Sequence, residues 1–143
     1  MSERTNGTGP GEQVDSEVDA RLQAISDSAE NPWEGFSGRC QAYLQMALEP
    51  EIQRLLLRDA RAVLGPASAE AQRHCVESMT GLIDELMAQG VVAEADSEAL
   101  ASLIYGSLSE AAFWIAEGDQ ASRRLERASA ALELLLRGLL LRA

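Results

Sequence analysis

The pattern of apolar and polar residues is clearest in residues 96–143. It predicts two long helices joined by a short hinge at residues 117–120. On a wheel that advances about 100° per residue, the first of these helices is apolar on two opposite sides. We expect one side to face the chain's own core; it carries Leu100, Leu103, Ile104, Leu108, Ala111, Trp114 and Ile115.

The opposite side of that helix carries small and aromatic residues. A helix with two apolar sides must pack against other helices on both of them. The last helix has one clear stripe, formed by Ala121, Leu125, Ala128, Leu132, Leu135, Leu136 and Leu139. Two more leucines lie outside this stripe, among arginines. We therefore predict that a second copy of the chain covers both helices. The predicted homodimer interface comprises Ser102, Tyr105, Gly106, Ser109, Ala112, Phe113, Leu134 and Leu141.

Four further helices are predicted upstream, and their boundaries carry recognisable signals. Asn31 and Pro32 suit the N-cap and first turn of a helix, whereas Gly65-Pro66 and Gly90 are terminators. The predicted spans are residues 14–29, 32–48, 50–65 and 68–89. The chain is thus expected to be an all-α bundle of about six helices. We expect a single domain at residues 14–143, after a disordered tail at residues 1–13.

Composition narrows the classes of function. The formal charge is −11, and the basic residues are all arginine. An acidic chain without a basic tract is poorly suited to binding phosphate backbones. The arginines of the last helix alternate with glutamates, which is typical of a solvated, ion-paired face. No apolar run approaches the ~20 residues of a membrane span, and no signal peptide is visible, so we expect a cytoplasmic protein without a membrane partner.

The residues that could carry metal or catalytic chemistry are few. Cys40, Cys75 and the single histidine, His74, do not have the spacing of a metal site. A catalytic nucleophile needs a base within hydrogen-bond reach, and only Cys40 with His74 could be considered. Both cysteines lie on apolar faces and are interpreted as small packed hydrophobes. We therefore expect no metal, no cofactor and no enzymatic activity.

An apolar set of side chains could instead line a cavity for a small molecule. Such pockets are mostly apolar, with a few polar groups that fix orientation. The alternative is that the same residues simply fill the core. Glu110, at the edge of the set, could reach solvent, pair with an arginine or meet a polar ligand group. The candidate ligand-binding residues are Trp33, Phe36, Cys40, Tyr43, Leu56, Met79, Leu82, Leu86, Glu110 and Trp114.

Three segments, in this order and spacing, resemble the C-terminal domain of TetR-type transcriptional regulators. They are NPWEGFSGRCQAYLQMALEPEIQRLLLRDARAVLG (31–65), MTGLIDELMAQGVV (79–92) and LASLIYGSLSEAAFWIAEG (100–118). The resemblance implies an all-helical domain that dimerises through its last two helices and holds a small-molecule pocket among the preceding ones. In such regulators, DNA is bound by a helix-turn-helix unit that precedes this domain.

The chain departs from that family pattern in two places. Residues 1–13 are too few for a recognition helix, so we expect DNA contact only through a helix-turn-helix unit absent from this chain. The family often has Asp-Ala-Pro-Ala-Val-Leu-Gly followed by tryptophan, where this chain has Arg61 in the motif and Pro66 after it.

The alternative function is a ligand-free helical interaction module, such as a heterodimerising antagonist of an intact regulator.

Overall fold

The computed structural model describes residues 10–59 and 66–141, with side chains at 18, 20–54 and 72–141. Within these ranges every long element is helical, and the only β pairing is one isolated bridge between Val92 and Leu140. The all-α prediction is confirmed. The helices are α1 (Pro10–Ser28), α2 (Pro32–Gln45), α3 (Pro50–Asp59), α4 (Pro66–Ala88), α5 (Ser97–Ala116) and α6 (Ala121–Arg137), with a short 3-10 turn at Met46–Leu48 after α2.

Most predicted boundaries agree with the helices to within a few residues. The exception is α1, which begins at Pro10 and so includes the last four residues of the predicted tail, 10–13. The rest of that predicted tail, residues 1–9, lies outside the described residues, as do the segment around Arg61 and the predicted end of the third helix at Gly65. The hinge at residues 117–120 separates α5 from α6 as predicted.

Side-chain caps explain where α2 and α5 begin. The Asn31 Oδ1 atom accepts a hydrogen bond of 2.9 Å from the Glu34 amide, and Pro32 occupies the first turn. At the start of α5, Asp96 Oδ1 accepts one of 2.8 Å from the Ala99 amide. Each cap satisfies an amide that has no partner within the helix, and such a cap contributes about 1 kcal/mol to stability. Gly90 follows α4 with φ of +76°, a conformation that glycine adopts without strain.

The core is centred on α2, which contacts α1, α4, α5 and α6. Its largest fully buried residues, Phe36 and Leu44, belong to one cluster with residues of α4, α5 and α6. The approach of α1 to α2 is close: a Cβ atom at Gly35 would lie 3.1 Å from the Ser26 carbonyl oxygen. The remaining members of the buried cluster include Cys40, Met79, Ile83, Leu86, Ala101, Leu108, Ala112, Ile115, Leu132 and Leu136.

The end of the described chain is held by backbone pairing that the sequence pattern did not predict. The Ala93 amide donates to the Leu139 carbonyl over 2.9 Å, and the Leu141 amide donates to the Val91 carbonyl over 2.8 Å. This pairing joins the link before α5 to the segment after α6. The two segments are too short to show the alternation by which a strand is recognised.

The buried side of α5 differs from the predicted one. Its buried residues are Ala101, Leu108, Ala112, Ile115 and Ala116, which straddle the two arcs that the wheel separated. Leu103, assigned to the core, is 69% exposed. Ala112, assigned to the dimer interface, is 2% exposed because the chain's own core covers it. Both assignments were wrong, since periodicity shows that a helix has two apolar sides without showing which neighbour covers each.

The prediction that no apolar segment approaches the length of a membrane span is wrong for α5. By length and composition it is the one described helix that could cross a membrane. In this fold, however, α5 packs against α2, α4 and α6. A core helix of a helical domain meets the same length and composition criteria.

Candidate functional site

Four of the predicted ligand-binding residues are tightly packed. Phe36, Cys40 and Leu86 are 0% exposed, and Met79 is also buried. A side chain that lines a cavity keeps surface accessible to water, so at most a very small void can touch these residues. Burial raises the pKa of the Cys40 thiol to about 12, although nearby Arg39 acts in the opposite direction. In this conformation these four residues are core.

Three other predicted ligand residues, Trp33, Tyr43 and Leu82, are half-buried and pack against that core. The Tyr43 hydroxyl lies 3.3 Å from Ser109 Oγ. Its ring meets the Tyr105 ring edge-on, with centroids 6.0 Å apart. Desolvation by burial raises the pKa of Tyr43. Tyr105 and Ser109 were predicted to need a second copy to cover them, yet both contact a residue of the same chain.

Trp114 is half-buried beside the turn between α5 and α6. The guanidinium carbons of Arg124 and Arg127 lie 4.7 Å and 5.1 Å from its ring centroid. Arg124 also donates through Nη1 to the Trp114 carbonyl over 2.6 Å. Glu110 is exposed, which agrees with a carboxylate that reaches solvent and does not meet a ligand in the interior. The side chain of Leu56 lies outside the described residues.

The predicted interface residues separate into covered and open ones. Ser102 and Gly106 of α5 are exposed, and a Cβ atom at Gly106 would meet nothing within 4 Å. Phe113 is half-buried. Leu134 and Leu141, which lay outside the α6 stripe, are 67% and 56% exposed. These five residues remain available to a partner, unlike Ala112.

Sequence reasoning missed two members of the open face. Leu103 is exposed, and Leu135, placed in the α6 core stripe, is 62% exposed. The α6 stripe is centred on Leu132 and Leu136, and Leu135 projects about 100° from Leu136 and about 60° from Leu132 on the helical wheel. The predicted apolar stripe of α6 was too wide, because it included Leu135 together with the buried Leu132 and Leu136. The exposed large hydrophobic residues of the described chain, hereafter the leucine face, are Leu103, Leu134, Leu135 and Leu141.

A buried arginine was also missed. Arg39 is the one charged side chain buried among those that the structure describes. Its Nη2 atom lies 3.4 Å from Ser78 Oγ, so a polar contact connects α2 and α4. No local signal marks Arg39, because it stands between Gly38 and the apolar Cys40. Among the described residues, no group of three or more His, Cys, Asp or Glu side chains could hold a metal ion.

Comparisons with known proteins agree on one family. The family model described as the tetracyclin repressor-like, C-terminal domain matches residues 33–139. The chain is also similar to the crystal structure of a TetR-family transcriptional regulator from Pectobacterium atrosepticum, with 72% identity and a TM-score of 0.85. That match covers 92% of this chain and 68% of the other. No curated protein matches. The chain therefore belongs to the TetR family of transcriptional regulators, and its residues 33–139 correspond to the C-terminal domain of that family.

Proposed function

We propose that this chain is the effector-binding and dimerisation domain of a TetR-type regulator. In this proposal it forms a homodimer through α5 and α6 and binds a small, largely apolar molecule. DNA contact belongs, in this proposal, to a helix-turn-helix unit distinct from the C-terminal domain described here. The domain acts by binding and not by catalysis, and it acts in the cytoplasm, in keeping with its family.

The leucine face is the observation that carries the dimer. All of its four residues lie on α5, on α6 or just after α6, and each is more than half exposed in the single chain. Large apolar side chains exposed on neighbouring helices commonly mark a protein interface. Burying one leucine completely is worth about 1.5–3 kcal/mol, so four leucines offer a substantial driving force.

The interface that we propose differs from the one that the helical periodicity of the sequence predicts. It keeps Ser102, Gly106 and Phe113 of α5, and it is centred on the leucine face. Gly106 has open space where a side chain would be, which allows a helix of the partner to approach closely. Ala112 is left out because it is already buried, and Tyr105 and Ser109 contribute mainly within the chain.

The effector is proposed to contact three half-buried residues of the predicted set on α2 and α4, not the fully packed ones. Trp33 and Tyr43 of α2 and Leu82 of α4 provide an apolar lining, and the Tyr43 hydroxyl provides a polar atom for orientation. Phe36, Cys40 and Leu86 then serve as the floor beneath that lining. The family of the chain supports this role.

The tight packing of Phe36, Cys40 and Leu86 also favours a second candidate function. A ligand-free interaction module needs a filled core and an apolar face, and both features are present here. In that case the leucine face binds an intact regulator and forms an inactive heterodimer.

Native mass spectrometry of the purified protein tests both candidates. The chain has a mass of 15.4 kDa, so we expect a species of twice that mass. A small molecule retained by the dimer, and released on denaturation, supports the effector-binding domain. A dimer without such a molecule supports the interaction module, and a monomer at micromolar concentration contradicts the proposed homodimer.

A further inference from the structure

A hollow of about 500 Å³ lies beside the turn between α5 and α6, away from the apolar interior. All five of its lining residues are polar or charged, and three of them are arginines. Arg123 and Arg127 are exposed, and Arg124 is half-buried. The lining residues are Asp119, Gln120, Arg123, Arg124 and Arg127.

The charge of this hollow is opposite to that of the whole chain. The formal charge of the sequence is −11, whereas the hollow gathers three guanidinium groups and one carboxylate, that of Asp119. In the described part of the chain, none of the three arginines forms an ion pair with Asp119 or with another carboxylate. Like charges around one hollow repel each other, and a bound anion would compensate them.

Two of the arginines are held in place by Trp114. Arg124 and Arg127 stack over its ring, and Arg124 also donates to the Trp114 carbonyl oxygen. Gly118 makes room for this arrangement, because a Cβ atom there would lie 2.5 Å from Arg124 Nε. Stacking uses the face of a guanidinium group and leaves N–H donors at its edge. Such donors, fixed in a plane, match the paired oxygens of phosphate and carboxylate groups.

We propose that this hollow binds a small oxyanion ligand, a molecule bearing a phosphate or carboxylate group. Arg123 and Arg127 supply the donors, and Trp114 positions Arg127 and Arg124 through its ring. The site is separate from the proposed effector lining of Trp33, Tyr43 and Leu82. Its existence does not depend on the proposed function.

Fluorescence of Trp114 provides the test. The chain has two tryptophans, so Trp33→Phe leaves Trp114 as the sole reporter. We would titrate this variant with pyrophosphate and, separately, with succinate, each at constant ionic strength with sodium chloride as the reference salt. Isothermal titration of the unaltered protein checks that Trp33→Phe has not changed the site. We expect saturable binding of at least one probe, and the tighter probe identifies the anionic group.

Variants then connect binding to the arginines. Replacing Arg123 and Arg127 by glutamine should weaken binding by about tenfold or more, because charge-assisted hydrogen bonds are lost. Arg137→Gln removes an exposed arginine at the other end of α6 and should leave the affinity unchanged. The proposal is overturned if neither probe binds more tightly than chloride, or if the two sets of variants lose affinity equally. It is also overturned if the double variant changes only the oligomeric state, which would place these arginines at an interface.

Discussion

Gln41 of α2 and Ser129 of α6 bind each other through two hydrogen bonds that run in opposite directions. The Gln41 side-chain amide donates to the Ser129 carbonyl oxygen over 3.1 Å, and the Ser129 hydroxyl donates to Gln41 Oε1. Both residues are half-buried. The pair connects the central helix of the core to one of the two helices that carry the leucine face.

The first prediction concerns this pair. Gln41→Ala leaves the partly buried Ser129 groups without their partner, so we expect a loss of about 1–2 kcal/mol in the free energy of unfolding. Ser129→Ala should cost about 0.5–1.5 kcal/mol, because one of the two hydrogen bonds is retained. Combining both substitutions should cost less than the sum of the single effects. Urea unfolding at one fixed protein concentration measures all three, and strict additivity would contradict the pairing.

A second prediction compares two glycines of α2. Gly35→Ala would place a Cβ atom 3.1 Å from the Ser26 backbone oxygen, so α1 must shift and stability should fall. At Gly38 the nearest atom is Ile25 Cγ2 at 3.4 Å, an ordinary contact. Gly38→Ala should therefore be neutral or stabilising by up to about 1 kcal/mol, since alanine favours helix. Thermal unfolding separates the two variants, and equal melting temperatures would argue against close packing at Gly35.

A third prediction addresses the dimer. Replacing Leu103 and Leu134 by glutamate removes two exposed leucines and places charges on the proposed interface. The dissociation constant should rise by about a hundredfold or more. Sedimentation velocity over a range of concentrations measures it. Ala88→Glu, which adds one carboxylate at an exposed position of α4, is the control and should remain dimeric. A double variant that stays dimeric would move the interface elsewhere.

A fourth prediction follows from the buried thiol. The pKa of Cys40 is raised from 9.0 to about 12, so the folded state keeps its proton where the unfolded state loses it. The stability that this provides is fully present below about pH 9 and is lost as the pH rises towards about 12. In a Cys75→Ser background, iodoacetamide at pH 8 should label Cys40 slowly in the native protein and rapidly in urea. Fast labelling of the native protein would contradict this packing.

A fifth prediction concerns the ion pair between α1 and the segment after α2. Arg21 donates to both carboxylate oxygens of Glu49, at 2.9 Å and 2.5 Å, and this lowers the pKa of Glu49. The contribution is therefore present above the ordinary pKa of 4.5 and is lost as the pH falls through the lowered folded-state value. Both side chains are more than 40% exposed, so Arg21→Gln should cost no more than about 1 kcal/mol at pH 7. Chemical unfolding at pH 7 and at pH 3 checks the difference, and a cost that grows in acid would be the wrong sign.

The sequence predicted the helices well because their ends depend on local chemistry. Asn31 caps α2 through its own side chain, and residues 117–120 break the chain between two strongly periodic segments. Such signals act within one turn of the helix, and they do not require knowledge of the rest of the fold.

The faces of the helices were harder to predict. Leu103 and Ala112 belong to the same apolar helix, yet one is open and the other buried, because α2 and α4 cover a side that includes residues of both predicted arcs. A similar limit applies to the ligand set. Phe36 and Trp33 have the same apolar character in the sequence, and only three-dimensional packing distinguishes a filled core from a surface that a ligand could reach.

Backbone pairing of residues 91–93 with residues 139–141 joins the segment before α5 to the segment after α6. The two ends of the α5–α6 hairpin are therefore connected at one junction. The same junction is tied to the end of α4, because the Val91 amide donates to the Leu86 carbonyl oxygen over 2.9 Å. Neither α5 nor α6 can move away from the core alone without breaking these hydrogen bonds. A displacement at the end of α4 therefore reaches both helices together, and with them the four exposed leucines that they and the segment after α6 carry.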